Sequence, residues 1–272
     1  MTQRTWFITG TSRGFGREWA TAALDRGDRV VGTARDASAN DDLVAKYPDT
    51  FRVLPLDVTD RAAVFAAVTT AHDYFGELDI VVNNAGYGHF GTIEEATEAE
   101  ARAQIETNLF GSLWVTQAAL PYLRERGAGH ILQVSSIGGV TAFPTIGIYH
   151  ASKWGVEGFS QALAQEVAGF GIHVTLIEPG GFATDWAGAS AKRSQPIAAY
   201  DPVRAAVAAG QAGVPAGDPT ASAAAVLRIV DAENPPLRSF LGAVPLHVVE
   251  ADYAARLDTW RAWQSVAELA QG

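Results

Sequence analysis

The stretch Thr5-Trp6-Phe7-Ile8-Thr9-Gly10-Thr11-Ser12-Arg13-Gly14-Phe15-Gly16 decides the fold. Five residues that favour strands run into a turn holding three glycines, and a helical pattern follows over residues 14–26. Glycine in such a turn lets the backbone bend tightly and lets N–H groups come close to a phosphate. The helix that opens there presents its positive dipole end, so strand, turn and helix together make an anion site. The spacing is Gly-x-x-x-Gly-x-Gly. A glycine turn alone is weak evidence; the strand before it and the helix after it give it meaning.

The same alternation continues outward. Apolar, β-branched runs predict strands at 5–9, 29–34, 52–56, 79–83, 130–135, 172–178 and 237–241. Helical patterns fall between them at 14–26, 60–75, 99–123, 149–170 and 220–232. Alternation of this kind implies βαβ units and a parallel sheet. Ile80-Val81-Val82 is apolar on both faces, as a sheet covered by helices on each side requires. The expectation is one α/β domain over residues 1–272. It is a Rossmann-type doubly wound fold with a mainly parallel sheet of about seven strands.

In the helix after Tyr149, Val156, Phe159, Leu163 and Val167 mark the buried stripe, while Glu157, Gln161, Gln165 and Glu166 supply polar positions. Two regions break the alternation. Residues 184–219, rich in Ala, Gly, Ser and Pro, follow the sixth strand's C-terminal end, where open α/β sheets bind ligands. They are read as a substrate-covering segment. Residues 237–270 then give a strand and a helix from Pro245, whose Leu257, Trp260 and Trp263 are expected to bury against the sheet or a neighbouring subunit.

Bulk properties narrow the function. A net charge of −10, with Lys192-Arg193 as the only basic cluster, argues against nucleic-acid binding. No apolar run reaches the roughly 18 residues of a membrane span. The absence of cysteine removes disulfides and thiolate chemistry. With no basic-then-apolar leader, a cytoplasmic protein is expected. The six histidines show no ligand spacing, so no metal is expected.

The chemistry centres on Tyr149-His150-Ala151-Ser152-Lys153. Tyr and Lys four apart on a helix project from one face. A free phenol has a pKa of about 10, and a cation one turn away is expected to lower it. Ser136 ends an apolar strand and offers a hydroxyl to a substrate oxygen. At the end of the second strand Arg35 stands where an acid meets a ribose 2′-OH in NAD-binding sites. Arg35 and Arg13 together suit a 2′-phosphate. Asp36 is the counter-signal, serving a 2′-OH if shifted by one residue. Asp57-Val58 is placed to meet an adenine, with helix capping as the plainer role of Asp57. Asn83-Asn84-Ala85-Gly86 suits close approach of a ligand to a strand end. Asn108 is a polar residue amid Ile105, Leu109 and Leu113; by itself it reads as an exposed helical Asn.

Thr9-Gly10-x-x-x-Gly14-x-Gly16, Asn83-Asn84-Ala85-Gly86, Asn108, Ser136, Tyr149-x-x-x-Lys153 and Pro179-Gly180 follow the order and spacing of the short-chain dehydrogenase/reductase family, whose compact single-domain branch the chain resembles over roughly residues 4 to 185. The resemblance implies a tetrad of Asn108, Ser136, Tyr149 and Lys153. In it Tyr149 is the general acid or base, and Ser136 orients the substrate oxygen. Lys153 lowers the Tyr pKa and holds the nicotinamide ribose, and Asn108 keeps a water in the proton relay by bending its helix. It also implies cofactor contacts at Gly10, Ser12, Arg13, Gly14, Phe15, Gly16, Asn84, Ala85, Gly86, Pro179, Gly180, Phe182 and Thr184. Phe15, where the family often has Ile, is a mild departure. The implied function is interconversion of a carbonyl and an alcohol, with NADP(H) favoured over NAD(H). The alternatives are NAD(H)-linked alcohol oxidation and a non-catalytic nucleotide sensor. Phe143, Phe182, Trp186 and residues 184–219 are expected to line an apolar pocket, with His89 and Phe90 at its mouth. The resemblance further implies a homodimer or homotetramer, built through residues 99–123 and 149–170.

Overall fold

A computed structural model describes residues 3–272. Its strands and helices, in chain order, are β1 (Thr5–Thr9), α1 (Gly14–Asp25), β2 (Arg29–Ala34), α2 (Asp41–Lys46), β3 (Phe51–Pro55), α3 (Arg61–Phe75), β4 (Ile80–Asn83), β5 (His89–Phe90), α4 (Glu98–Ile105), α5 (Gly111–Arg126), β6 (Gly129–Val134), α6 (Gly147–Val167), β7 (Ile172–Pro179), β8 (Lys192–Arg193), α7 (Asp201–Gln211), α8 (Pro219–Val230), β9 (Arg238–Leu241), α9 (Pro245–Ala262) and α10 (Gln264–Leu269). Seven strands form one sheet in the order β3-β2-β1-β4-β6-β7-β9, and every ladder in it is parallel. Each lies within one residue of its expected span.

The pleat explains why β1 reads as continuously apolar. Phe7 points to the layer of α3, α5 and α6, while Trp6 and Ile8 point to the layer of α1 and α8. All three are fully buried, each contributing roughly 1.5–3 kcal/mol of burial free energy. Local signals set the ends of the helices. Asp60 accepts from the Ala63 amide to start α3, and Gly76, at φ 74°, ends it. Thr97 and Glu100 form a capping box on α4.

Strand order reverses between β1 and β4, so their C-terminal ends diverge and leave a crevice. The glycine turn follows β1, Asn84 follows β4, Ser136 lies just past β6 and Pro179-Gly180 closes β7. The candidate residues therefore gather along one edge.

The structure adds detail to three expectations. Residues 99–123 are helical throughout, and a π-helical turn, Glu106–Phe110, lies inside that run between α4 and α5. Residues 184–219 contain β8, which pairs with β5, and the amphipathic helix α7. Leu257, Trp260 and Trp263 are not buried against the sheet; the two tryptophans are 63% and 64% exposed in the single chain. The cause is that α9 spreads its apolar residues around its circumference and buries only Pro245.

Candidate active site

The glycine turn is fixed from below by Asn84. Its side-chain N–H donates to the Thr9 carbonyl at 2.9 Å and the Gly10 carbonyl at 3.0 Å. The Thr9 hydroxyl accepts from the amides of Asn84 and Ala85. Gly10 takes φ 75°, and a β-carbon on Gly16 would stand 2.3 Å from the Gly10 oxygen, so both positions require glycine. No side chain caps α1 and no acid lies in its first turn. That uncapped N-terminus of a 12-residue helix, with Ser12 and exposed Arg13 on its rim, fits the pyrophosphate of a dinucleotide. Phe15 does not reach into the turn; it stacks on Trp19 at 5.1 Å.

At the end of β2, Arg35 is exposed and forms no ion pair among the described residues. Asp36 is occupied otherwise: its carboxylate accepts from the Ser38 amide and hydroxyl, capping the 3-10 turn Ala37–Asn40. That use weakens it as a 2′-OH acceptor. Arg13 is not a free cation either, because it is ion-paired to Asp185. Asp57 accepts from the Thr59 amide and hydroxyl in the turn ahead of α3, whose N-cap is Asp60, and Val58 is buried beneath Gly111.

Asn108 sits in the π-helical turn and is buried, not exposed. Its side chain accepts from the Tyr87 amide at 3.1 Å and donates to the Tyr87 carbonyl at 3.0 Å. The same amide nitrogen lies 3.2 Å from the Ser152 hydroxyl. Gly86 lies between Asn108 and Lys153; a β-carbon there would be 3.1 Å from Asn108 Oδ1 and 3.8 Å from Lys153 Nζ. Lys153 donates to the Val134 carbonyl at 2.7 Å. Asn108, Ser136, Tyr149 and Lys153 are thus brought together.

Burial governs the titration of this group. The Tyr149 phenol is pushed up to about 12, with the Ser136 hydroxyl opposing the shift. Burial is the dominant cause, and it runs against the lowering that the resemblance implies for Lys153. Burial brings Lys153 itself down to about 8, with Glu157 opposing. His150 acts as a staple: its Nδ1–H donates to the Gly138 carbonyl at 2.7 Å and its Nε2 accepts from the Phe143 amide at 2.8 Å. The loop carrying Ser136 is thereby tied to α6, and burial lowers the imidazole's pKa.

The covering segment departs from the expected pocket. Trp186 meets the Tyr149 ring edge-on at 5.0 Å. Phe182 lies instead against Phe15 at 5.0 Å, within the core, because its backbone pairs with Gly217. Thr184 rests on the glycine turn, 3.8 Å from where a β-carbon on Gly14 would stand, and the Gly180 amide is held by the Leu241 carbonyl at 3.0 Å. His89 turns inward to the Ser194 hydroxyl, while Phe90 backs Trp186. Next to Phe143, Pro144 joins Pro202, Val203, Ala206 and Val207 of α7 in an open apolar trough of about 530 Å³.

Sequence periodicity missed one cluster. Glu157 reads as a polar position, yet it and Glu178 are buried together. Arg238 lies 3.0 Å from one carboxylate and 3.5 Å from the other. Burial raises both acids, and their mutual repulsion raises Glu178 further. The available signal was a carboxylate ending the apolar run Val174–Ile177 of a central strand.

Comparison with known proteins gives a consistent picture. Residues 4–195 match the short chain dehydrogenase family. The chain is 44% identical over 247 residues to "Oxidoreductase BOA17" of Botryotinia fuckeliana, covering 88% of this chain and 89% of that one. It is 37% identical over 184 residues to the NADPH-dependent 3-dehydrocapnine reductase of Ornithobacterium rhinotracheale, covering 65% of each. A crystal structure of a short-chain dehydrogenase from Streptomyces avermitilis superposes with a TM-score of 0.93 at 38% identity, covering 99% of this chain and 98% of that one.

Proposed function

The chain belongs to the short-chain dehydrogenase family, and from that premise we propose that it interconverts a ketone or aldehyde with an alcohol, using NADP(H) and Tyr149 as the proton donor or acceptor. The observation that carries this reading is Tyr149 one helical turn from Lys153 on α6, with the lysine Nζ 5.9 Å from the centre of the phenol ring.

Bound NADPH supplies the hydride. The chain's own residues manage the oxygen. Tyr149, held neutral by burial, gives its proton to the carbonyl oxygen as negative charge develops there. Ser136 donates a hydrogen bond that orients that oxygen. Lys153 supplies the cation that stabilises the phenolate once the proton has gone. Asn108 fixes the backbone at Tyr87 and with it the wall of the cofactor crevice.

Preference for the 2′-phosphate rests on Arg35, exposed beside an Asp36 already engaged with Ser38. The relative from Ornithobacterium is NADPH-dependent and reduces a 3-dehydro substrate.

The test is NADPH consumption against a panel of ketones, aldehydes and quinones, with Tyr149→Phe beside wild type. The expected result is turnover of one class, falling by about 10²-fold or more in the variant. Turnover that survives the substitution overturns the role of Tyr149. NADPH bound as well by Arg35→Asp as by wild type overturns the cofactor assignment.

A further inference from the structure

Tyr149 is 5% exposed. A proton donor must come within about 2.6–3.2 Å of its acceptor, so a side chain standing over the Tyr149 ring narrows the substrate's approach. Trp186 provides the cover. Its indole stands 5.0 Å from the Tyr149 ring and 5.2 Å from the Phe90 ring. A β-carbon on Gly88 would be 2.7 Å from the indole, so the ring lies directly on the Gly88 backbone beside the Tyr149 ring.

The preceding residue, Asp185, holds the turn that carries Trp186. Its carboxylate accepts from the Ala189 amide and the Ser190 hydroxyl, each at 3.1 Å. The same carboxylate is ion-paired to Arg13, on the rim of the glycine turn. One cation is thus contested between this turn and any 2′-phosphate bound near Arg13 and Arg35.

We propose that Asp185 and Trp186 form a gate over Tyr149, opened when Arg13 passes from Asp185 to the 2′-phosphate of NADP(H). The proposal rests on the NADP(H) reading above. A phosphate carries more charge than a carboxylate and offers more acceptor oxygens to the guanidinium, so it wins the competition. The Arg13 side chain is 57% exposed, and an exposed ion pair is worth roughly a two- to fivefold change in an equilibrium. A latch of that strength holds the gate and still yields to the cofactor. NAD(H), lacking the phosphate, leaves the pair intact, so the gate also discriminates between cofactors.

Asp185→Asn removes the charge and keeps an acceptor for the Ala189 amide, so the turn persists. Calorimetric titration is expected to show NADP⁺ binding roughly two- to fivefold tighter in Asp185→Asn than in wild type, with NAD⁺ unchanged. Acrylamide quenching reads the gate directly. The chain has seven tryptophans, and the signal of Trp186 is isolated by subtracting that of Trp186→Phe. Its quenching is expected to rise with NADP⁺ but not with NAD⁺ in wild type, and to be high from the start in Asp185→Asn. Unchanged or weaker NADP⁺ binding in Asp185→Asn overturns the latch, as does quenching of Trp186 that NADP⁺ leaves unmoved. Arg35→Asp separates the two readings. If it binds NADP⁺ as tightly as wild type, the cofactor reading fails and the gate with it. If it binds NADP⁺ more weakly while Asp185→Asn changes nothing, the gate alone fails.

Discussion

Asn108 grips Tyr87 by both of its peptide groups, accepting from the amide and donating to the carbonyl with one side chain. A backbone pinned this way cannot shift without breaking two bonds, and the pinned segment borders Gly86 and Lys153. Asn108→Ala leaves the Tyr87 amide without a partner, at a cost of about 1–3 kcal/mol, while the Tyr87 carbonyl still accepts from Gln104. The expected outcome is a lower melting temperature together with weaker NADP⁺ binding. Asn108→Asp, which keeps an acceptor and loses the donor, is expected to fall between. A melt and a titration on the same samples check both.

Lys153 and Tyr149 titrate in opposite order from free side chains. Lys153 loses its proton near 8, while the phenol keeps its own until about 12. Carbonyl reduction needs the phenol protonated and the lysine charged. The rate is therefore expected to hold below pH 8 and to decline as the pH rises past it, with no rise marking the ordinary tyrosine pKa. The profile of kcat/KM, which reports the free enzyme, is the measurement.

Gly16→Ala places a methyl group 2.3 Å from the Gly10 oxygen and 2.4 Å from the Asn84 side-chain nitrogen. Neither neighbour is free to yield, since each holds the other. The expected outcome is a drop of at least about tenfold in dinucleotide affinity, or about 1.4 kcal/mol, from a displaced turn. Titration of the folded variant with NADP⁺ decides it.

Two buried groups set the pH dependence of stability, with opposite signs. His130 is held neutral by burial down to about 3, whereas an unfolded chain protonates it near 6.5. The unfolded state binds more protons in that window, so stability grows as pH rises from 3 to 6.5. The paired acids Glu157 and Glu178 do the reverse, because burial raises them in the folded chain. The folded state keeps a proton that the unfolded chain releases near 4.3, so this contribution is lost as pH rises above that value. Melting curves against pH are expected to show a shallower acid slope in His130→Gln, where lowered acids such as Glu95 still contribute, and a shallower decline at higher pH in Glu178→Gln.

The sheet was legible because a buried parallel strand leaves little choice: most of its positions are apolar, and the glycine turn then fixes where β1 ends. The π turn at Asn108 was not legible within the expected helix, since Ile105, Leu109 and Leu113 keep helical spacing through it. Only the tertiary demand of Tyr87 for a partner explains it. Glu157 shows the limit of helix periodicity. Its face looks polar by spacing, but β7 and β9 meet it there with Glu178 and Arg238. The link between Arg13 and Asp185 joins residues far apart in sequence, and no local pattern announces it. Residues 184–219 were the least legible, because small residues fit helix, turn and strand about equally well.

Among the described residues the sheet has no hairpin. Its nearest pairing in sequence joins Val30 to Phe51, and the first strand, β1, lies in the interior of the sheet, flanked by β2 and by β4. Every ladder must therefore close a long loop before it gains a hydrogen bond, and chain entropy opposes each closure. High contact order of this kind predicts slow refolding, with apolar strands open to other chains while they wait. Yield from denaturant should depend on protein concentration well before it depends on the cofactor.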